Sequence, residues 1–541
     1  MGKIKSLCAV ALTVVLSASL FVGCGGEKSA SGGAAEGKKL IYNLGEDPKT
    51  IDPALNASVG GSTILVNAFE GLMRVDENDK AIPGVAKEYK ISEDKLTYTF
   101  TLRDDAKWSD GKPVTAGDFE YAWKRALDPK NGAEYAYQLY YIKGAEEYNT
   151  KGGKVEDIAI KTINDKTLEV TLVSPTPYFI ELMAFPCYFP VRKDVVEKDS
   201  NWTTKVDSYI SNGPFKLSEW RAKDAFVFTK NENYWNKDSV KLDTLEMRMI
   251  RDVNSAYSAF ESGQIDMVDS IPPAKIESAV QSGVGTIYPQ IGNYFYCVNV
   301  SGNDMSPEVL RNPKVIQALN LAVDRDTLIK NVTKGGQKPA TSFVPSSIKG
   351  ADGNKFSSKE FFPSKGDKEQ AKKLLEEAGY PGGKGIPTLT LTYNTEGNHG
   401  DIAQAVQAMW KEIGVNVELQ NQEWKVFQKT RTDLKYNIAR HGWVGDYVDP
   451  MTFLDMWLSN SGNNKAGYKN PEYDKLIEAA RIETDNAKRD EYLKKAEEIL
   501  LTDMPIIPIY EYTQPKAMKK NIKGIRVSQL GQVYFNQATI E

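Results

Sequence analysis

Cysteine and histidine are nearly missing from this chain of 541 residues, with four of the first and two of the second. So few cysteines exclude a disulfide scaffold at this length, and two histidines exclude His-rich metal centres and Cys2His2 fingers. No C-x-x-C, H-E-x-x-H or G-x-S-x-G occurs, so the common redox, zinc-hydrolase and serine-hydrolase arrangements have no anchor. Gly32 to Lys39 reads G-G-A-A-E-G-K-K, a near miss to a phosphate loop. It lacks the Ser or Thr that would hold magnesium and precedes no apolar helix, so no nucleotide, metal or other cofactor is implied. Neither sign of charge dominates: 72 acids against 68 bases leave −4, which excludes nucleic-acid binding by bulk positive charge. Beyond the N-terminus no apolar run approaches the roughly 18 to 20 residues of a bilayer span. What is present is a globular composition, 41% hydrophobic and 26% charged, at a length suited to about two to four domains. A binding protein is the stronger class and an enzyme the weaker, with no catalytic residues to name.

Residues 1–23 read as an export signal. Lys3 and Lys5 form a basic head, an apolar stretch runs from Leu7 to Val22, and Gly23-Cys24 follows. A small residue before a cysteine at that place resembles a bacterial lipobox, although Leu20 lies one position further back than usual and Phe21 takes its place. The resemblance makes Cys24 the lipid-anchored first residue of the mature protein. Residues 24–39, rich in Ser, Gly, Ala and charge, have the composition of a flexible tether.

Further along, Leu96 to Leu102 alternates strictly and predicts a half-buried strand. Thr115 with Asp118 predicts a capped helix carrying Phe119, Tyr121 and Trp123. Another helix is expected from Asp367 to Gly379. Thr388–Tyr393 predicts a strand, Asn394–Gly400 a loop, Asp401–Ile413 a helix and Val415–Leu419 a second strand. That order implies a right-handed parallel crossover. It places His399 in a loop before a helix N-terminus, a favourable place for an anion. There the imidazole is expected to change charge near neutrality. Taken alone, the position favours a solvated loop histidine.

Several segments in order resemble the oligopeptide-binding proteins of bacterial ABC importers, within the peptide and nickel solute-binding family 5. They are Ile51-Asp52-Pro53, Glu70-Gly71-Leu72, Trp108 to Ala116, Ser211 to Lys216, Asn233-Tyr234-Trp235 and Ala322-Val323-Asp324-Arg325. The resemblance implies an α/β fold, a three-domain, two-lobe clamshell of the type II periplasmic binding-protein kind with an inserted extra domain. Domain I would comprise 40–72, 191–290 and 512–541, domain II 73–190 and domain III 291–511, with the hinge near Gln290 and Tyr512. It implies a monomeric, extracytoplasmic protein, tethered to the membrane by lipid, that hands short peptides of about two to five residues to ABC permease subunits. The alternatives are a receptor for a signalling or cell-wall peptide on the same fold and, less favoured, an extracytoplasmic hydrolase. A nickel or heme binder is discouraged by the two histidines.

Within Arg440 to Tyr447, extended backbone puts Arg440, Gly442, Val444 and Asp446 on one face. Arg440 and Asp446 then stand about 20 Å apart along the chain, enough to span an extended tetrapeptide of about 13 Å when the long arginine reaches inward. A peptide paired with this strand would be held by its main chain. The resemblance assigns Asp446 to the peptide ammonium, Arg440 and His399 to its carboxylate, and Trp424 to a side-chain pocket. Asp446 as a turn residue and Trp424 as plain core are the alternatives from the residues alone. His441 faces the opposite side and reads as structural. Some relatives pair a cysteine at the place of Val444 with one at the place of Cys297, so Cys297 is left with Cys187 as its only candidate in the body. The resemblance also points to a lysine for shorter peptides, with Lys330 and Lys334 equally placed.

Overall fold

The computed structural model describes residues 37–541. The export signal, Cys24 and most of the tether lie outside the described residues. Lys39, expected to end the tether, instead opens the first strand, because it pairs with Thr244 and its ammonium lies 2.6 Å from buried Glu246.

The alternating segment forms the strand Thr97–Leu102, with Tyr98, Phe100 and Leu102 buried. It lies inside a four-stranded antiparallel sheet with Ala86–Ile91, Thr167–Thr171 and Ile160–Asn164. The helix Ala116–Leu127 packs against that sheet. Its capping box is formed by Thr115 and Asp118, and Asp118 also accepts from the Trp108 indole at 3.2 Å.

The second sheet has eleven strands and carries the site. Ten of them form a continuous path: β1 (Lys39–Asn43), β2 (Phe215–Arg221), β3 (Ala225–Lys230), β4 (Thr244–Arg248), β5 (Met267–Val268), β6 (Gly285–Val298), β7 (Leu389–Asn394), β8 (Val417–Gln422), β9 (Ile438–Val444) and β10 (Ile506–Met518). Their spatial order is β8-β7-β9-β6-β10-β5-β1-β4-β3-β2. Only β6 and β10 are long enough to serve both halves. Their antiparallel pairing breaks between Pro289 and Asn293, opposite Thr513 and Glu511. The two half-sheets therefore meet at an irregular joint near Gln290 and Tyr512.

β7 and β8 pair in parallel, as the crossover requires. The helix between them, α1 (His399–Lys411), begins two residues before its expected start, with Asn398 as N-cap. Gly397, at φ +79°, turns the chain into the helix. His399 is thus the first helical residue, not a loop residue.

The scattered landmarks converge into buried stitches. Asp52 receives both arms of Arg125, at 2.9 and 2.7 Å. The Asn212 side chain bonds the Glu70 amide and carbonyl, at 3.0 and 2.9 Å. The Glu70 carboxyl accepts from Tyr234 and Trp235. Gly213 leaves no room for a side chain, since a Cβ there would stand 2.6 Å from the Ala68 backbone. Arg325 is fully buried with no carboxylate of the described residues in ion-pair range, donates to the Pro508, Val323 and Asn320 carbonyls, and packs over Phe362. Burial lowers its pKa to about 9. Arg325→Met would remove these buried donated bonds and is expected to cost about 3 kcal/mol. A urea-unfolding midpoint equal to wild type would contradict that role.

Candidate functional site

Along β9, Arg440, Gly442 and Val444 are half-buried on one face, while Ala439, His441 and Trp443 are buried on the other. On one side β9 pairs with β6 over its whole length, from Ile438 to Val444. On the other side β7 pairs only with Ile438 and Ala439. The Arg440–Val444 edge is therefore left without a strand partner. The Gly445 amide donates to the Ile291 carbonyl at 2.8 Å, so by alternation the main-chain groups of Gly442 and Val444 point away from β6, toward that open edge. His441 stacks on Phe295, with centroids 4.9 Å apart, and its Nδ1 lies 2.8 Å from the Gly442 amide nitrogen.

The open edge borders a cavity of about 360 Å³, lined among others by Arg440, Gly442, Val444, Asp446, Trp424 and Arg431. A neighbouring cavity of about 250 Å³ shares Arg440 and Trp424 with it and adds His399. All six residues singled out in the sequence thus face one connected space. A Cβ at Gly442 would fall 1.9 Å from the Tyr512 hydroxyl, so any larger residue there would displace that ring. That hydroxyl accepts from Arg440 Nη2 at 3.1 Å.

Ionisable groups at both ends of the space lack ion-pair partners among the described residues. Asp446 is buried; Gln138 Nε2 donates to its Oδ2 at 2.8 Å and Tyr135 to its Oδ1 at 3.3 Å. No cation of the described residues lies within ion-pair distance. Burial pushes its pKa well above the usual carboxylate range, Asp455 adds to this, and the donated hydrogen bonds oppose it. At the other end Arg440 lies over the Tyr294 ring and has no carboxylate partner among the described residues. Arg431 is in the same condition, stacked near Phe427 and Trp424. Burial first, and the charge of Arg440 second, lower the Arg431 pKa to about 10. One end holds an acid without a cation, the other two guanidinium groups without an anion.

His399 differs from expectation. Its Nδ1 is buried with no partner, and burial, followed by the charges of Arg440 and Arg431, pushes its pKa well below the ordinary value. That direction favours the neutral imidazole in the free protein, against the expectation of a charge change near neutrality.

Arg431 was not anticipated, although it was legible. It stands seven residues, two helical turns, after Trp424 on α2 (Trp424–Thr432), and so shares its face. Gln138 and Tyr135 carried no local signal. Trp424 is half-buried, tilted against Phe427 at 6.3 Å, with its indole nitrogen unpartnered, so it is part core and part lining. Lys330 and Lys334 are both exposed, and neither is among the residues lining these cavities. Cys187 and Cys297 are both buried and free, which answers the pairing question: they are not joined.

A family model, bacterial extracellular solute-binding proteins, family 5 (middle region), matches residues 80–465. The oligopeptide-binding protein OppA of Bacillus subtilis is 42% identical over 534 residues, which is 97% of each chain. The murein tripeptide-binding protein MppA of Escherichia coli superposes with a TM-score of 0.86 at 33% identity, over 94% of this chain and 99% of that one. A structure of MppA in its unliganded open form superposes with a TM-score of only 0.65, again at 33% identity, over 94% of this chain and 98% of that one. The present arrangement thus departs from that open form while the fold is shared. On the extent of these matches, the chain belongs to the bacterial extracellular solute-binding proteins, family 5.

Proposed function

We propose that this protein captures short peptides in the closing cleft between its two half-sheets and delivers them to the permease subunits of an ABC importer. The observation that carries the reading is the open Arg440–Val444 edge bracketed by a buried acid at one end and guanidinium groups at the other, none with an ion-pair partner among the described residues. A free peptide has the complementary form: an ammonium at one end, a carboxylate at the other, and main-chain donors and acceptors between. Asp446 takes the ammonium with help from Gln138 and Tyr135. Arg440, Arg431 and His399 take carboxylates at depths set by peptide length. Trp424 lines a side-chain pocket, and Gly442 and Val444 offer the main chain. Such a site reads length and polarity more than sequence.

In this scheme domain I comprises 40–72, 191–290 and 512–541, domain II 73–190 and domain III 291–511. The joint near Gln290 and Tyr512 is the hinge. Two of the relatives are an oligopeptide-binding and a murein tripeptide-binding protein by name, and this chain acts in the same way, binding without catalysis as a monomer held through Cys24 to the outer face of the cell membrane. Cys24→Ser is expected to abolish lipid labelling and to release the protein or leave it as precursor. Labelling that persists would remove the anchor.

Mass spectrometry of ligands released from the purified protein tests the function. A mixture of peptides sharing a length range and differing in sequence is expected. No released peptide, together with no binding to a panel of tri- to pentapeptides, would overturn it.

The histidine adds a pH signature. A carboxylate beside His399 favours imidazolium and raises a pKa that is depressed in the free protein. Peptides ending there should take up protons on binding and bind more weakly as pH rises through the bound-state pKa. Calorimetry in two buffers of different ionisation enthalpy, with His399→Ala as control, measures this. Uptake that survives in the variant would place the carboxylate elsewhere.

A further inference from the structure

Four strand ends meet beside the ligand space. Asp47 follows β1 and Arg251 follows β4, in one half-sheet; Glu396 follows β7 and Glu423 follows β8, in the other. Arg251 Nη1 lies 3.0 Å from Glu423 Oε1 and 3.7 Å from Glu396 Oε1, and its Nη2 lies 3.4 Å from Asp47 Oδ2. Lys425 reaches back across to the same Asp47 oxygen at 3.2 Å. Glu423 is also the N-cap of α2: its other oxygen accepts from the Lys425 and Val426 amides at 2.8 and 3.4 Å. That helix carries Trp424 and Arg431 into the ligand cavity.

We propose that Arg251 and Lys425 form a latch that ties the start of α2 to the opposite half-sheet. It sets how long the cleft stays closed, through the position of a helix and not through recognition of peptide sequence. The inference rests on the closing-cleft reading above. Its physical basis is that every ion pair of this cluster except Arg251 to Asp47 joins the two half-sheets, so it exists only when they face each other. The side chains are partly exposed, and a single such pair is weak. Here one guanidinium is already ordered by three acids, so each further contact costs less side-chain freedom. Partial exposure also makes the latch sensitive to salt, with a screening length of about 8 Å at physiological ionic strength. Because the latch forms after encounter, its loss should appear in release and not in association.

The test is stopped-flow release and association of several unrelated tri- and tetrapeptides at low and high sodium chloride. Arg251→Gln is expected to speed release by about three- to tenfold for every peptide, with association changed less than about twofold. Lys425→Gln should do the same more weakly, and Arg251→Lys should recover part of the loss. Wild-type release should accelerate with salt toward the Arg251→Gln rate, while the variant responds little. Should Arg251→Gln fold poorly, Glu396→Gln and Lys425→Gln carry the test. Unchanged release, an effect confined to particular peptides, or equal salt dependence in variant and wild type would overturn the latch. A wild type that binds no peptide would overturn the functional reading, whereas wild-type binding with unchanged variant release would remove the latch alone.

Discussion

Asp446→Ala is expected to weaken the binding of tri- and tetrapeptides by about 2 to 5 kcal/mol, because a desolvated ammonium would lose its only carboxylate. The same substitution should leave the free protein as stable as wild type or more so. In the absence of ligand Asp446 is a buried acid without a cation, and its pKa is driven up mainly by burial. A carboxyl whose folded pKa lies above its unfolded value detracts from stability as pH rises from about 4 toward the folded pKa. A bound ammonium reverses that shift. Peptide binding should therefore release protons at Asp446, and affinity should rise with pH through the free-state pKa. This is opposite in sign to the uptake at His399, so Asp446→Asn and His399→Ala separate the two by calorimetry. N-acetylated peptides should bind weakly to wild type and lose little more in Asp446→Ala. Wild-type affinity in the variant would remove Asp446 from the site.

The second large effect is expected at the other end. Arg440→Met should weaken peptides whose carboxylate reaches it by about 2 to 4 kcal/mol, with little change for C-terminally amidated peptides. Stability of the free protein should not fall in parallel. Burial first and the charge of Arg440 second lower the pKa of Arg431, so removing the Arg440 charge relieves part of that cost. The thermal midpoint and the affinity should thus move independently. Equal wild-type affinity for free-acid and amidated peptides would contradict the assignment.

What could be foreseen from the residues depended on how local the cause was. The faces of β9 followed from two-residue alternation, and the helix after Thr115 from its capping box, because both rest on neighbours within a turn or a pleat. The parallel crossover around α1 was legible for the same reason. The entry into α1 was misplaced by two residues, because the Gly397–Asn398 turn sets it and not the apolar periodicity. The protonation of His399 was missed because it is set first by burial in the folded chain and then by charges on α2 and β9. The partners of Asp446 lie more than 300 residues earlier in the chain, at Gln138 and Tyr135, and no spacing rule reaches that far. The expected main-chain pairing presupposed an open edge on β9, but its extent could not be read, since it depends on where β7 stops pairing.

The most direct measurement is a crystal structure of the protein with an unmodified tetrapeptide. The ammonium is expected within hydrogen-bond distance of Asp446, the main chain paired with the open Arg440–Val444 edge, and the carboxylate against Arg440 or His399. A peptide lying in the reverse direction, or bound away from β9, would contradict the account.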